Sequence, residues 1–220
     1  MRPINPLYGP AWTSFELLRY DLHSSFDHQS SPLAHTHFLL HHESMMSQDD
    51  KYEKLYQEAR NCCGEPFPEI AAFFEAYEKE GAQILDLGCG QGRDAIMMAR
   101  HGHNVIGVDT SETGVHQMEE DAKREDLQVR GVIADITSFE IGGGFDVVIL
   151  DRVLHMLAEE DRITVLSRVM RRAFQGGFIL IADMPSNKPT YRAVFANGSS
   201  HWTSVLDRRG FLFMRKDFAN

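Results

Sequence analysis

Acidic side chains follow four of the most hydrophobic stretches of this chain. Asp86, Asp109, Asp135 and Asp151 each stand at or beside the end of such a stretch. Ligands of open α/β sheets bind outside the carboxyl ends of the strands, so we expect these four carboxylates to converge on one edge of a sheet. Ionised carboxylates are acceptors, so such an edge suits a ligand that carries hydroxyl or amino groups.

A glycine-rich turn follows the first of these stretches. The sequence from Leu85 reads LDLGCGQGRD, with glycine at positions 88, 90 and 92. Glycine removes the side chain where a tight turn must bring backbone close to a ligand. The helix expected after the turn offers unpaired N–H groups at its start.

Two other nucleotide-binding motifs do not fit this spacing. A dinucleotide fingerprint G-x-G-x-x-G that starts at Gly88 needs glycine at position 93, where Arg93 stands. A P-loop needs G-K-[ST] before its helix, and no lysine lies between positions 83 and 100. Asp109, by contrast, lies 109 − 90 = 19 residues beyond Gly90. A carboxylate there can accept two hydrogen bonds from a ribose diol, so the pattern predicts a nucleoside site.

The elements that must position these residues follow from hydrophobic periodicity. Buried strands alternating with amphipathic helices predict a Rossmann-like, doubly wound α/β fold. Its sheet is mostly parallel and seven-stranded, with a C-terminal antiparallel hairpin and helices on both faces. The predicted strands are 83–87, 104–108, 128–133, 145–150, 178–182, 202–206 and 211–215. The predicted helices are 49–60, 68–80, 94–100, 112–124, 159–174 (with Ile163, Leu166, Val169 and Met170 facing the core) and 191–196.

Residues 1–46 differ from the rest in being rich in Ser, Pro and His, with little periodicity. We predict a poorly ordered N-terminal extension there, with Met45 or Met46 as a hypothetical alternative initiator. Residues 47–220 are predicted to form the functional domain, and residues 47–80 a helical lid over its ligand. Tyr52 and Tyr56 are candidates for the aromatic walls of that lid, the alternative being that they pack against the sheet.

Composition narrows the function classes. Of 220 residues, 43% are hydrophobic and 25% charged, as in an ordinary globular domain. The net charge of −10 disfavours nucleic acid as a partner. Arg168, Arg171 and Arg172 form either a local basic patch or a solvated helix face. No apolar run reaches the ~18 residues that cross a bilayer, and the start lacks a secretory pattern. Three cysteines without a disulfide framework agree with a cytoplasmic protein.

Four segments together resemble the class I S-adenosylmethionine-dependent methyltransferases: ILDLGCGQGRDA, VIGVDTSE, ADI and FDVVILDRVLHML. Within them the chain is most similar to the tellurite-resistance and thiopurine-methyltransferase-like branch and to the methyltransferase-11 group, over about Tyr52 to Asp217. The resemblance implies S-adenosylmethionine as cofactor, S-adenosylhomocysteine as product and methyl transfer to an acceptor. The alternatives are a protein that binds the cofactor without turnover, and a nicotinamide oxidoreductase, which Arg93 disfavours.

The resemblance also implies roles for individual residues. The methionine part of the cofactor would lie against the glycine turn, its ribose against the second strand, its adenine beyond the third, and the methyl-transfer pocket at the fourth. A fourth motif of the Asp-Pro-Pro-Tyr type is absent, which counts against nucleobase or glutamine amino groups as acceptors. The methionine part would contact Asp86, Gly88, Cys89 and Gly90, and the ribose would contact Asp109. The adenine would contact Thr110, Asp135 and the Ile136 amide, and Asp151 with Arg152 would line the methyl-transfer pocket.

Catalysis would come mainly from aligning an acceptor lone pair with the methyl carbon. A general base is needed only if the acceptor loses a proton. His155, one turn beyond Asp151, is the candidate base, or else a helix-cap or packing histidine. Arg93 is the candidate for steering an anionic acceptor, or else pairs with a neighbouring carboxylate.

A small-molecule acceptor is expected, because the lid and the tail after the fifth strand are short. The protein is expected to be a monomer or homodimer. No metal site is predicted. The adjacent thiols Cys62 and Cys63 are interpreted as structural or incidental, and the four histidines between positions 35 and 42 lack a cysteine or acidic framework.

Overall fold

Seven strands form a single sheet in the computed structural model, which describes residues 47–219. The strands are β1 (Gln83–Leu87), β2 (Asn104–Asp109), β3 (Val129–Ile133), β4 (Phe145–Asp151), β5 (Ala173–Ala182), β6 (Trp202–Arg208) and β7 (Phe211–Lys216). The α-helices are α1 (Gln48–Glu58), α2 (Pro68–Glu75), α3 (Arg93–Arg100), α4 (Glu112–Arg124), α5 (Glu159–Arg172) and α6 (Lys188–Asn197). Short 3₁₀ turns stand at Leu154–Met156 and Pro185–Asn187.

The strand order is β3-β2-β1-β4-β5-β7-β6. Strands β1 to β5 run parallel, and β7 pairs antiparallel with both β5 and β6. The chain moves outward from β1 to β3 and then returns to place β4 on the other side of β1. The order of strands therefore reverses between β1 and β4, and ligands of open α/β sheets bind at the carboxyl ends beside such a reversal. The predicted doubly wound fold with its C-terminal hairpin is confirmed.

Helices cover both faces of the sheet because neighbouring strand residues point to opposite sides. Leu85 and Leu87 of β1 belong to a core that contains the buried side of α5 and α6. Ile84, one residue away, belongs to a second core with α2, α3 and α4. The first strand is thus buried on both faces, as its unbroken hydrophobic run predicts.

The predicted end of α2 and one predicted helix face are wrong. Helix α2 ends at Glu75 rather than at position 80, and Tyr77 beyond it stacks on Phe73 with ring centroids 5.4 Å apart. On α5, Ile163 is 38% exposed and Val165 is buried in its place. The helical periodicity fits both residues almost equally, and only the way α5 lies on the sheet decides between them.

Strand β5 begins five residues earlier than predicted, at Ala173 instead of position 178. Ala173 already has extended torsions (φ −71°, ψ 131°), and Phe174, predicted as the end of a helix, is 46% exposed. A register shift between Phe145 and Val147 of β4 accommodates the extra length. Gly176 within β5 has φ +76°, so the irregularity lies where glycine permits it.

No helix among residues 47–219 is long and apolar enough to cross a membrane. Within the same range no cluster of three or more His, Cys, Asp or Glu side chains could hold a metal ion. The predicted N-terminal extension, the alternative start and the four histidines between positions 35 and 42 lie outside the described residues. The three cysteines are free thiols.

Candidate functional site

The glycine turn (residues 88–92) bends through three left-handed glycines, with φ of +80° at Gly88, +50° at Gly90 and +82° at Gly92. Two of them are also sterically required. A β-carbon on Gly88 would come within 2.6 Å of Val153, and one on Gly92 within 2.3 Å of Met118. The turn thus presents bare backbone because neither the torsions nor the packing tolerates side chains.

Asp109 fixes the turn from the neighbouring strand. The Gly90 amide donates to Asp109 Oδ2 at 2.8 Å, and the Ser111 amide donates to Oδ1 at 2.9 Å. Ser111 in turn caps α4 by accepting from the Gly114 amide at 2.9 Å. The carboxylate predicted to hold a ribose therefore lies directly beside the glycine turn, at the start of the next helix.

Asp86 lies under the turn in an environment that disfavours charge. Its side chain is buried, and Oδ2 has no hydrogen-bond partner among the described residues. Burial raises the pKa of this carboxyl well above its usual range, and the nearby Asp94 and Asp109 raise it further. Cys89, the next residue but two, directs its buried sulfur into the core around Met118, so only its backbone is available to a ligand.

Arg93 pairs with carboxylates on two elements. Its guanidinium donates to the adjacent Asp94 at 2.7 Å and forms an ion pair with Asp151 at the end of β4. Its side chain is largely buried there. The alternative interpretation of Arg93, an ion pair with a neighbouring carboxylate, is the arrangement in the structure. Steering of an anionic acceptor by Arg93 stays a prediction and would require exchanging these partners.

Arg152 has the more available guanidinium of the two. Its only ionic contact in the described chain is to Asp151 Oδ1 at 3.6 Å, and it lies 5.1 Å from the centroid of the Phe67 ring. Arg93 lies over the same ring at 5.4 Å. Arg152 has φ +54°, a strained value for a residue with a side chain, and such strain concentrates at functional sites.

The loop after β3 carries the residues predicted to bind adenine. The Ala134 amide donates to the Asp109 carbonyl at 2.9 Å, which joins this loop to the predicted ribose site. Asp135 and Thr110 are exposed at the same edge, and Asp135 accepts from the Thr137 amide at 2.8 Å. The Ile136 side chain, by contrast, packs into the core.

Arg168 of α5 anchors that loop from below. Its guanidinium donates to the carbonyl of Thr137 at 2.5 Å, to that of Ile136 at 3.4 Å and to that of Phe139. Arg168 is therefore part-buried and bound to backbone. It belongs neither to a basic patch nor to a solvated helix face, the two roles considered for it from the sequence.

Replacing Arg168 with alanine is expected to weaken cofactor binding without touching the cofactor, because three loop carbonyls lose their donor. The cost of such unsatisfied groups is about 1–3 kcal/mol, so the dissociation constant should rise roughly 5- to 150-fold if the loop becomes disordered. Isothermal titration calorimetry with S-adenosylhomocysteine measures this. Arg171→Ala, an exposed change on the same helix, is the matched control, and equal affinities of the two variants would contradict the prediction.

Helix α1 is hydrogen-bonded to the start of α4 and contacts the glycine turn through Tyr56. Glu53 accepts from the hydroxyls of Ser111 and Thr113, both at 2.5 Å, and the hydrogen bond from Ser111 is the largest cause of its lowered pKa. The buried Tyr56 places its hydroxyl 2.5 Å from where a Gly90 β-carbon would stand. Tyr56 is thus in contact with the turn.

The buried Gln91 links the turn to the segment after α1. Its amide nitrogen donates to the Ala59 carbonyl at 2.7 Å, and its oxygen accepts from the Cys62 amide at 3.0 Å. The Arg93 guanidinium also reaches the Cys63 carbonyl at 3.4 Å. Residues 59–63 are therefore held against the glycine turn by hydrogen bonds from Gln91 and Arg93.

His155 stands in the 3₁₀ turn after β4 and is paired with a carboxylate. Its Nδ1 lies 3.0 Å from Oδ1 of Asp183, which follows β5. Asp183 also accepts from the Met184 amide at 2.6 Å and from the Tyr191 hydroxyl. The N-cap of α5 is Ala158 and not His155, and a packing role and a catalytic role are both compatible with the contact to Asp183.

The structure thus brings the predicted residues to one edge: the glycine turn, Asp86 and Asp109 at β1 and β2, the loop after β3, and Asp151 with Arg152 at β4. Sequence reasoning missed several residues that support them. One signal was available, because Asp183 follows a buried strand just as the four acidic residues do. The others bind through contacts distant in sequence and gave no local signal: Glu53, Gln91 and Arg168.

Comparison with known proteins agrees with this geometry. A family model described as a methyltransferase domain matches residues 84–177. The ribosomal protein L11 methyltransferase of Thermotoga maritima is 32% identical over 146 residues, which are 66% of this chain and 52% of that protein. The chain spans about half the length of the first curated relatives that it matches.

Solved structures show the same fold. The N-methyltransferase NodS of Bradyrhizobium japonicum, in complex with S-adenosyl-L-homocysteine, superposes with a TM-score of 0.63 at 14% identity, covering 78% of this chain and 99% of that one. TehB of Haemophilus influenzae superposes with a TM-score of 0.59 at 17% identity, covering 76% and 67%. Residues 84–177 therefore match a methyltransferase domain, and the sheet around them has the fold of known methyltransferases.

Proposed function

We propose that the protein transfers the methyl group of S-adenosylmethionine to a small-molecule acceptor. The observation that carries the proposal is the left-handed glycine turn held against Asp109, with the Gly90 amide 2.8 Å from that carboxylate. The turn offers backbone where a ligand approaches closely, and the carboxylate suits the two hydroxyls of a ribose.

The residues present fit the cofactor. The buried Oδ2 of Asp86 has no partner among the described residues and suits the cationic amino group of the methionine part. Asp109 would hold the ribose, and the loop from Ala134 to Thr137, next to it, the adenine. When bound, the cofactor supplies a methyl group on a sulfonium that leaves as a neutral thioether. The protein contributes alignment, which is worth ~7–11 kcal/mol of barrier when well oriented.

The acceptor would lie at the carboxyl ends of β4 and β5. Arg152 and His155 follow β4 and keep part of their side chains exposed. Because Arg93 is occupied by two carboxylates, we assign any recognition of an anionic group on the acceptor to Arg152 instead. The segments that follow β4 and β5 include only short 3₁₀ turns, at Leu154–Met156 and Pro185–Asn187, which supports a small acceptor.

A second candidate function is methylation of a protein. The ribosomal protein L11 methyltransferase is among the relatives, and it covers two thirds of this chain. A third is cofactor binding without turnover. We also propose a cytoplasmic location, which three free thiols support, and a monomeric or homodimeric state without nucleic-acid partners, in line with the net charge of −10.

Calorimetry with S-adenosylmethionine, S-adenosylhomocysteine and NAD tests the binding site. We expect heat with the first two and none with NAD. Incubation with cofactor labelled in the methyl group then tests the acceptor class, using phenols, thiols, amines, tellurite and selenite beside recombinant ribosomal protein L11. Label in small molecules supports the proposal, label in the ribosomal protein favours the second candidate, and binding without any label favours the third. Absence of binding to either S-adenosyl compound removes all three.

Replacing Asp109 with alanine is expected to weaken binding of S-adenosylhomocysteine by roughly 1–3 kcal/mol, because the ribose hydroxyls and the Gly90 amide lose their acceptor. The dissociation constant should therefore rise about 5- to 150-fold. Asp109→Asn keeps one acceptor oxygen, so its dissociation constant should lie between those of the wild-type protein and the alanine variant. Wild-type affinity in the alanine variant, with an unchanged melting temperature, would remove Asp109 from the site.

A further inference from the structure

His155 and Asp183 lie together at the edge where the acceptor is proposed to bind. They follow β4 and β5, which are adjacent parallel strands with Asp151 opposite Ala182 in register. The Arg152 amide donates to the Ala182 carbonyl at 2.7 Å and extends this pairing beyond the end of β4. The two side chains are thus positioned by the backbone of two neighbouring strands. One of these, β4, is next to β1, where the order of strands reverses.

The contact between them favours one tautomer of the imidazole. Nδ1 of His155 lies 3.0 Å from a carboxylate oxygen that can only accept, so we expect the neutral ring to carry its proton on Nδ1. Nε2 then bears the lone pair. The His155 side chain is 35% exposed, whereas that of Asp183 is 1% exposed. The carboxylate therefore lies on the buried side of the imidazole, and part of the ring is accessible to solvent.

Asp183 is held in its ionised form. Burial opposes ionisation, but hydrogen bonds from His155, Tyr191 and the Met184 amide outweigh it and lower the pKa of this carboxyl. Tyr191 is itself fully buried, and its hydroxyl donates to Oδ2, the oxygen that His155 does not use. The carboxylate thus has a fixed orientation, and it can stabilise a positive charge that forms on the imidazole.

We propose that Asp183 is a positioning residue that makes His155 a general base, and that the acceptor is therefore protic: a hydroxyl, a thiol or an N–H group. This inference rests on the proposed methyl transfer. In the step, the lone pair of the acceptor atom forms a bond to the methyl carbon while the carbon–sulfur bond breaks and its electrons go to sulfur. The proton of the acceptor moves to Nε2 of His155, and the exposed imidazolium then releases it to solvent.

The fixed orientation of Asp183 favours this role over a packing role. A histidine that only packs has no need of a buried carboxylate that is oriented by two further donors. A base whose far nitrogen is oriented by a third group is an arrangement typical of general-base catalysis. Acceptors without a removable proton, such as tertiary amines and thioethers, gain nothing from it.

Nitrogen-15 NMR of the whole protein at about pH 8, above the ordinary histidine pKa, tests the geometry without any acceptor. We expect His155 in the Nδ1–H form, opposite to the preference of free imidazole. Asp183→Asn and Tyr191→Phe should each shift the ring toward the Nε2–H form, and the milder Tyr191→Phe serves if Asp183→Asn does not fold. An Nε2–H ring in the wild-type protein would overturn the proposal.

The rate of methyl transfer provides the second measurement. With whichever protic acceptor accepts label, His155→Gln should lower kcat by roughly 10²- to 10⁴-fold, the usual contribution of general-base catalysis. Asp183→Asn should lower kcat in the same direction, and both variants should keep S-adenosylhomocysteine affinity within about twofold. His116→Gln, an exposed change on α4, is the control.

The outcomes separate this inference from the proposed function. Wild-type kcat in His155→Gln, or label in tertiary amines and thioethers but not in protic acceptors, overturns the inference and leaves methyl transfer intact. Failure of the wild-type protein to bind S-adenosylhomocysteine overturns the proposed function instead. The Nδ1–H form of His155 would still be found in that case, because it depends on Asp183 and Tyr191 and not on the cofactor.

Discussion

Replacing Gly92 with alanine is expected to destabilise the domain by about 2–5 kcal/mol. Two costs combine at this position. The left-handed torsion at φ +82° costs a residue with a β-carbon ~1–2 kcal/mol, and overpacking against Met118, 2.3 Å from the new atom, costs about 1–3 kcal/mol more. The melting temperature should fall by roughly 4–20 °C for a domain of this size.

Gly102→Ala is the matched control for this change. Gly102 has nearly the same torsion, φ +84°, but nothing lies within 4 Å of its β-carbon position. It should therefore show only the cost of the backbone torsion. The variant Gly92→Ala with Met118→Ala removes the atoms in conflict, so its stability should exceed that expected from adding the two single changes. Equal melting temperatures of Gly92→Ala and Gly102→Ala would refute a steric role for Met118.

Asp86→Asn is expected to shift stability and binding in opposite directions. The raised pKa of Asp86 means that the folded state holds its proton more tightly than the unfolded chain does. Wild-type stability is therefore lost as the pH rises above the unfolded pKa of about 4, and asparagine avoids this loss. Near neutral pH the variant should melt at least ~2–4 °C higher, the shift that 1 kcal/mol produces.

Binding of S-adenosylmethionine should weaken in the same variant, because asparagine cannot pair with the cationic amino group. The loss should be about 1–3 kcal/mol, and scanning calorimetry from about pH 4 to 8 with titration calorimetry measures both effects. The stability advantage should vanish at the acidic end, where wild-type Asp86 is protonated. A variant that is less stable than the wild-type protein at pH 8 would show that Asp86 is not a strained carboxyl.

The sequence was sufficient for the sheet and the glycine turn because both depend on local patterns. Hydrophobic strands show themselves as unbroken apolar runs, and β1 and α4 have the predicted bounds without change. The three glycines of the turn are required by torsions that other residues avoid, so their positions in the sequence reveal the bend directly. The convergence of Asp86, Asp109 and Asp151 follows from parallel strand direction alone.

What the sequence did not reveal depends on tertiary contacts. The start of β5 at Ala173 depends on pairing with Phe145 and on a glycine irregularity, neither of which changes the periodicity of the preceding helix. In the sequence Arg168 cannot be told from an arginine on a helix surface, because its hydrogen bonds to the loop after β3 depend on the tertiary structure. Whether Arg93 binds substrate or a carboxylate depends on its distance to Asp151, which lies 151 − 93 = 58 residues away in the chain.

Two sets of hydrogen bonds connect α1 and the segment after it to the predicted ligand site, and they have a thermodynamic consequence. Glu53 binds the residues that open α4, and Gln91 of the turn binds the backbone after α1. The free energy of ordering α1 and the free energy of filling the turn are therefore linked, and linkage is reciprocal. A change that stabilises the docked α1 should raise the affinity for the ligand, and binding of the ligand should stabilise the docked α1 by the same free energy.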